Sequence, residues 1–330
     1  MTNFINATLR HCIGIALLPV LMGYQGISLA AGYPTHAISL IVPFTAGSAA
    51  DILCRLITAE MSKSMGQAIV VYDKPGASGL IGTREVTNAT PDGYTIGYAN
   101  VVTLAINQSL YPKLPYDADK QLTPIALMGK VQSVLVVRKD LPMNNVSDLI
   151  AYAKSHPGRL SAGSAGNGST GHLSIELLKR LAGVDITHVP YKGAAQATQD
   201  LIGGRIDILF DNLTSMAPQI DRGAVKALGV TGDRRSPAYP ALPTIQEAGV
   251  AGFKTEAWAG LVAPAGTPAA IVEQLNAEVN QALQSPALKE RLAALSFETT
   301  IDRPDALFSR AKDERARWAR IIRDAGITAD

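Results

Sequence analysis

The sequence predicts an α/β fold built as two domains. From residue 37 onward, short β-branched runs alternate with longer stretches that keep apolar residues at three- and four-residue spacing. The length, 330 residues, exceeds one typical domain of about 100–200. Strands alternating with helices call for parallel sheets covered on both faces. At 47% hydrophobic and 18% charged residues, a disordered polymer or a fibre is excluded.

Taken in order, residues 1–30 hold one basic side chain, Arg10, then an apolar run over 12–22, then Ser28-Leu-Ala30. That is the order of a secretory signal peptide cut near Ala30, which sends the mature chain to the periplasm. The apolar run is too short for the ~20 residues a membrane-spanning helix needs. Cys12 follows Leu9-Arg10-His11 and does not resemble a lipid attachment site. Cleavage takes one of the 30 basic residues and none of the 28 acidic ones, leaving 29 against 28. With that balance and no Lys/Arg run, nucleic acid is not an expected partner. Cys54 is then the one cysteine left, so an internal disulfide is impossible; in Ile52-Leu-Cys-Arg-Leu56 it reads as a small buried hydrophobe.

Strands are expected at 38–42, 68–72, 94–98, 133–137, 186–189, 206–210 and 225–230. Helices are expected at 51–65, 146–155, 171–182, 194–202, 268–284 and 304–324. Faint boundaries lie at Lys120-Gln-Leu-Thr-Pro124 and in the Gly/Pro-rich turns between Pro237 and Gly252. If the last third returns to complete the first domain, residues 31–126 with 254–330 make one domain and 127–253 the other, with a cleft between.

Three strand-to-helix loops can carry chemistry. In Val42-Pro-Phe-Thr-Ala-Gly-Ser-Ala-Ala-Asp51, Ser48 and Asp51 fit a capping box in which each side chain holds the other's amide. The remaining amides of a helix start carry about half a positive charge and hold a small anion without arginine; a mere cap is the equal alternative. Ser161-Ala-Gly-Ser-Ala-Gly-Asn-Gly-Ser-Thr-Gly-His172 is richer in glycine and again precedes a helix. It approaches a phosphate loop but lacks the lysine, a dinucleotide fingerprint with Asp185 but in an exported chain, and a nucleophile elbow with alanine for its first glycine. The third, His188-Val-Pro-Tyr-Lys-Gly-Ala-Ala195, supplies Lys192, read as solvated. In the strand that follows, Asp207 reads as structural, and Asp211 or Asn212 as facing a cleft. No histidine pair has the spacing of a helical zinc site, and no cofactor is called for. Ser169 or Ser164 with His172 leaves an exported hydrolase as the competing reading, although a helix start disfavours the imidazolium that a general base must become.

Several segments together resemble one family: Pro43-Phe-Thr-Ala-Gly-Ser-Ala-Ala-Asp51, Lys74-Pro-Gly-Ala-Ser-Gly79, Pro91-Asp-Gly-Tyr-Thr95, Gly166-Asn-Gly-Ser169 with His172, Val189-Pro-Tyr-Lys-Gly193, and Ala257-Trp-Ala-Gly260 with Ala263-Pro-Ala-Gly-Thr-Pro268. They are similar in content and order to the Bug family, the extracytoplasmic receptors of tripartite tricarboxylate transporters. The resemblance implies a Venus-flytrap fold of two α/β lobes, a periplasmic-binding-protein fold of type II, and no enzymatic activity. It implies a small organic acid held between the lobes by backbone amides, and delivery to membrane permease subunits. By that pattern the ligand role falls on Phe44, Ala46, Gly47, Ser48 and Asp51, and on Ser164, Gly168, Ser169 and His172. Tyr191, Ala194 and Asp211 become pocket walls. Gly47-Ser48 departs from the two glycines usual in the family, so a side chain at 48 is expected to narrow the pocket or add a hydroxyl. Asp73, where the family often has Asn, is expected outside the cleft.

Overall fold

The computed structural model describes residues 32–324 and 326–328; the expected signal peptide, residues 1–30, lies outside the described residues. The strands are β1 (Ile38–Val42), β2 (Ile69–Asp73), β3 (Thr95–Asn100), β4 (Leu122–Arg138), β5 (Ser161–Ser164), β6 (Thr187–Pro190), β7 (Ile208–Asn212), β8 (Val225–Val230), β9 (Glu256–Pro264) and β10 (Phe297–Thr299). The helices are α1 (Ala49–Met65), α2 (Leu80–Thr87), α3 (Asn107–Leu110), α4 (Ala118–Gln121), α5 (Val146–Ser155), α6 (Thr170–Ala182), α7 (Ala194–Ile202), α8 (Leu213–Asp221), α9 (Ala269–Gln284), α10 (Pro286–Ala294) and α11 (Ala306–Asp324). A π-turn, Val102–Ile106, leads into α3.

All ten strands join one curled sheet in the order β2-β1-β3-β9-β4-β7-β5-β6, with β8 and β10 also on β4. The expectation of purely parallel sheets is corrected. Parallel β2-β1-β3 is closed by antiparallel β9, and parallel β7-β5-β6 by antiparallel β4. The reason is β4 itself, expected only at 133–137 but 17 residues long. Its first part, to Gln132, pairs antiparallel with β9. From Ser133 on it pairs with β7 and β8. One strand therefore serves two groups of strands, and the chain returns to the first group along β9, opposite to β4.

Two apolar clusters form the core, the larger running from the first strand group onto the second through Val134, Leu201, Leu209 and Leu213. The larger holds Leu40, Ile96, Trp258, Val279 and Trp318; the smaller holds Leu135, Leu149, Ile175, Phe210 and Phe253. Cys54 belongs to the first, and burial pushes its thiol up, as its apolar setting in the sequence implied. Where β4 and β9 pass between the groups, Glu256 is buried and held by Lys130 at 3.1 Å and Arg310 at 3.7 Å, so the crossing keeps a compensated charge. Among the described residues no helix is long and apolar enough to cross a membrane.

The helices that matter for the site begin at the carboxyl ends of strands. Helix α1 follows β1 through six residues, with Ser48 as its N-cap and left-handed Gly66 ending it. Helix α6 follows β5 with Ser169 as N-cap and left-handed Gly183 as its stop. Helices α7 and α8 follow β6 and β7, starting at Gly193 and Asn212 without a side-chain cap.

Candidate functional site

A cavity of ≈ 680 Å³ opens where these helix starts converge, within the 300–1,000 Å³ usual for small-ligand sites. Phe44, Ser48, Ala49 and Ala50 line it from the β1–α1 loop; Ser169, Thr170 and Gly171 line it from the β5–α6 loop. Among the described residues, the amides of Ala49, Ala50, Thr170 and Gly171 have no backbone acceptor. These are the first two positions of each helix, where an intrahelical partner does not exist. Two positive helix ends therefore open on one space.

The first loop is fixed by charge. The Asp51 amide donates to Ser48 Oγ at 3.4 Å, as a capping box requires. The return bond differs from expectation: the Asp51 carboxylate accepts the Gly47 amide at 2.8 Å, not that of Ser48, whose N–H goes to the Thr45 carbonyl. Gly47 has φ +76°, and that left-handed turn carries its N–H back over the carboxylate. Arg55 holds the other Asp51 oxygen at 2.5 Å and Asp73 at 3.0 Å, so the helix start rests on an Asp–Arg–Asp chain. Asp73 does not line the cavity. Burial is the main influence on Asp73, raising its carboxyl, with Asp51 acting the same way and Arg55 opposing both.

The second loop is fixed by histidines and serines. His172 donates its amide to Ser169 Oγ at 3.3 Å and accepts the Gly168 amide on Nδ1 at 3.1 Å. Its ring stacks on His188 with centroids 3.9 Å apart, and His188 Nε2 meets Ser164 Oγ at 2.7 Å. A Cβ on Gly171 would stand 2.5 Å from the Phe210 carbonyl oxygen, so glycine lets α6 start directly against β7. Asp211, the next residue, thereby faces the cavity beside that helix start. Ser215 donates to its Oδ2 at 2.7 Å, while burial pushes the carboxyl up to about 6.

Of the residues singled out in the sequence, Phe44, Ser48, Ser169, Tyr191, Ala194 and Asp211 line the cavity. Ala46 and Gly47 are exposed outside it, and Asp51, Ser164, Gly168 and His172 lie behind the lining, shaping the two loops. The serine–histidine hydrolase finds no support here. Ser169 Oγ caps α6, His172 Nδ1 faces the Gly168 amide, and Ser164 is fully buried against His188. Among the described residues no cluster of three or more His, Cys, Asp or Glu side chains is placed to hold a metal.

Sequence reasoning gave no ligand role to a fourth loop. Residues 75–79, between β2 and α2, form one wall, with four successive residues from Gly76 to Gly79 at positive φ. The signal was present as Pro75-Gly-Ala-Ser-Gly79, but no strand-to-helix pattern marked it. Ser78 Oγ donates to the Asn167 carbonyl, tying this loop to the β5–α6 loop. Also missed were Tyr98, which meets Phe44 edge to face at 6.0 Å, and Asn100, whose Oδ1 accepts the Val102 and Thr103 amides.

The family model described as "Tripartite tricarboxylate transporter family receptor" matches residues 53–327. A protein in the tcbD-tcbE intergenic region of Pseudomonas sp. (strain P51) is 39% identical, covering 97% of this chain and 95% of that one. The structure of R. palustris Rpa4515 with adipate is 39% identical at TM-score 0.87, covering 90% and 99% of the two chains. The periplasmic binding protein BugD is 35% identical at TM-score 0.86, with the same coverage.

Proposed function

Because the chain belongs to the tripartite tricarboxylate transporter receptor family, whose members are periplasmic solute receptors, we propose that it captures a small organic acid by its carboxylate between the starts of α1 and α6. The observation that carries this reading is that Ala49 and Ala50 line the same cavity as Thr170 and Gly171. A helix end contributes about 0.3–1 kcal/mol to a nearby anion, up to ~2 when partly buried. Each charge-assisted amide bond adds about 1.5–3 kcal/mol. Four such donors supply about 6–12 kcal/mol, and apolar contact with Phe44, Tyr98 and Tyr191 offsets the cost of association on the way to the ~8 kcal/mol of a micromolar complex. Phe44, Ser48, Ser169, Tyr191, Ala194 and Asp211 are assigned to contact with the ligand, and Asp51, Ser164, Gly168 and His172 to holding the loops. Backbone recognition involves no covalent step, and no enzymatic activity is assigned.

The lobes are taken to be residues 31–126 with 254–330, and 127–253. The strand pairing favours moving the first boundary to between Gln132 and Ser133, where β4 changes partners. Export by the N-terminal signal and delivery of the acid to membrane permease subunits complete the reading. A thermal-shift and calorimetric screen of organic acids, on protein beginning at Ala31, tests it. Several carboxylates are expected to raise the melting temperature and their methyl esters to leave it unchanged; equal shifts by acids and esters overturn the reading.

A further inference from the structure

We propose that Asp211 selects, among small acids, those carrying a hydrogen-bond donor, a hydroxyl or an ammonium, and disfavours plain alkanedioates. The inference rests on the receptor reading and narrows it to a ligand class. Asp211 and Lys192 are the two charged residues lining the cavity, among the described residues. Lys192 is exposed and forms no ion pair with Asp211. Asp211 is thus a carboxylate beside an anion site with no cation facing it. Its Oδ2 accepts from Ser215 Oγ at 2.7 Å, and the Asn212 amide is the other donor acting on the group. Neither removes the charge, and with a carboxyl near 6 the group is ionised at neutral pH.

A half-buried charge with no cation opposite it is a strong discriminator, because it penalises any ligand that brings a like charge to it and rewards one that brings a donor. With one carboxylate on the amides of α1 and α6, an unsubstituted diacid can present Asp211 only with methylenes or its second carboxylate, none of which donates a hydrogen bond to it. A hydroxyl or ammonium substituent instead supplies the proton that Asp211 lacks, and a charge-assisted bond of this kind is stronger than a neutral one. Shape alone gives no such contrast, since succinate, malate and aspartate share a four-carbon backbone.

The test is calorimetric titration of the mature receptor with matched sets: succinate, malate and aspartate, then glutarate, 2-hydroxyglutarate and glutamate. In at least one set the hydroxy or amino acid is expected to bind about tenfold or more tighter than the unsubstituted acid. Asp211→Asn, which keeps the side-chain shape, and Asp211→Ala should bring that ratio to within about twofold. Ser215→Ala leaves the carboxylate in place and should preserve the preference, which separates ligand selection from a structural role at the start of α8. Equal weakening of every acid by the Asp211 variants, or a wild-type preference for the unsubstituted acids, overturns the proposal while leaving the receptor reading intact. Binding of no carboxylate at all overturns both.

Discussion

Asp51 and Asp211 stand beside the two helix starts that face the cavity, and the fold treats them in opposite ways. Asp51 is turned away from the cavity: one oxygen takes the Gly47 amide and the other meets Arg55, which also reaches Asp73. Asp211 is turned into the cavity with a serine hydroxyl and no cation. On the first side a charged side chain builds the loop, so the helix start is left as the one electrostatic feature presented to a ligand. On the second side histidines 172 and 188 and the serines they meet build the loop, and the acid is presented beside the helix start. An anion site can thus be paired with either a neutral or an acidic neighbour while keeping the same Ser-capped geometry.

The sharpest way to break the comparison is at the glycines. Gly171→Ala gains up to about 1 kcal/mol of helix propensity, but its Cβ would stand 2.5 Å from a backbone oxygen of β7, which cannot yield without moving the strand. Displacement of α6 is the expected result, with at least a hundredfold loss of affinity, about 2.7 kcal/mol. Gly47→Ala places its Cβ in open space and costs only the left-handed backbone, about 1–2 kcal/mol of stability. Affinity for that variant should stay within about threefold of wild type. Titration of both variants checks the contrast, and equal affinity losses would mean that the two loops are not distinguished by packing.

Acid titration of stability sharpens the difference between the aspartates. The folded Asp211 carboxyl lies near 6 against 3.8 in a model peptide, so between those values the folded chain binds more protons than the unfolded one. Stability therefore falls as pH rises from about 4 to about 6, and changes no further from this group above that. The full shift corresponds to at most about 3 kcal/mol, and the group's opening onto the cavity reduces that to about 1–2 kcal/mol. Urea melts of ligand-free wild type and Asp211→Asn across pH 4 to 7 should show the wild type losing this much relative to the variant. Parallel pH curves would mean that Asp211 is solvated.

How much of this was legible depends on whether an element advertises itself locally. Strand β1 and helices α5 and α7 match their expected bounds because β-branched runs and helical spacing coincide with their ends. Strand β9 was missed because all nine residues are buried, which erases alternation, and because its alanines and glycine carry little strand preference. The first part of β4 was masked by Pro124 and Gly129; the latter, at φ +149°, sits where β10 crosses closely. Helix α8 contains Pro218 and is not among the expected helices. At the site, the two serine caps were visible as Ser followed by a helical pattern. The 75–79 wall and the roles of Tyr98 and Asn100 depend on the tertiary approach of distant segments, which no local spacing encodes.

A smaller effect tests whether closure brings the first loop against α7. Gly193 has φ 170°, ordinary extended backbone, so alanine is conformationally acceptable there. Its Cβ would meet Thr45 Oγ1 at 2.5 Å, and that hydroxyl is buried without a hydrogen-bond partner. Gly193→Ala is expected to lower affinity about tenfold, about 1.4 kcal/mol, with little change in melting temperature, because the clash is confined to the approach of the two loops. A fall in melting temperature that matches the affinity loss would place the defect inside one lobe instead.

The smallest contrast lies in the caps themselves. Removing an N-cap hydroxyl costs about 1 kcal/mol of stability, yet the two serines stand in different company. At α1 the Asp51 carboxylate still holds the Gly47 amide when the Ser48 hydroxyl, a long acceptor at 3.4 Å, is gone. At α6 the Ser169 hydroxyl is the acceptor for the His172 amide, and His172 Nδ1 in turn receives the Gly168 amide, so one loss loosens both bonds. Ser169→Ala should therefore cost about 1 kcal/mol and weaken acid binding about fivefold, while Ser48→Ala costs about half of that and weakens binding about twofold. Melts and titrations of both variants decide the point. The reverse order would mean that the hydroxyl of Ser48 counts for more as a ligand contact than Ser169 does, giving the serine that replaces the usual second glycine the larger part in specificity.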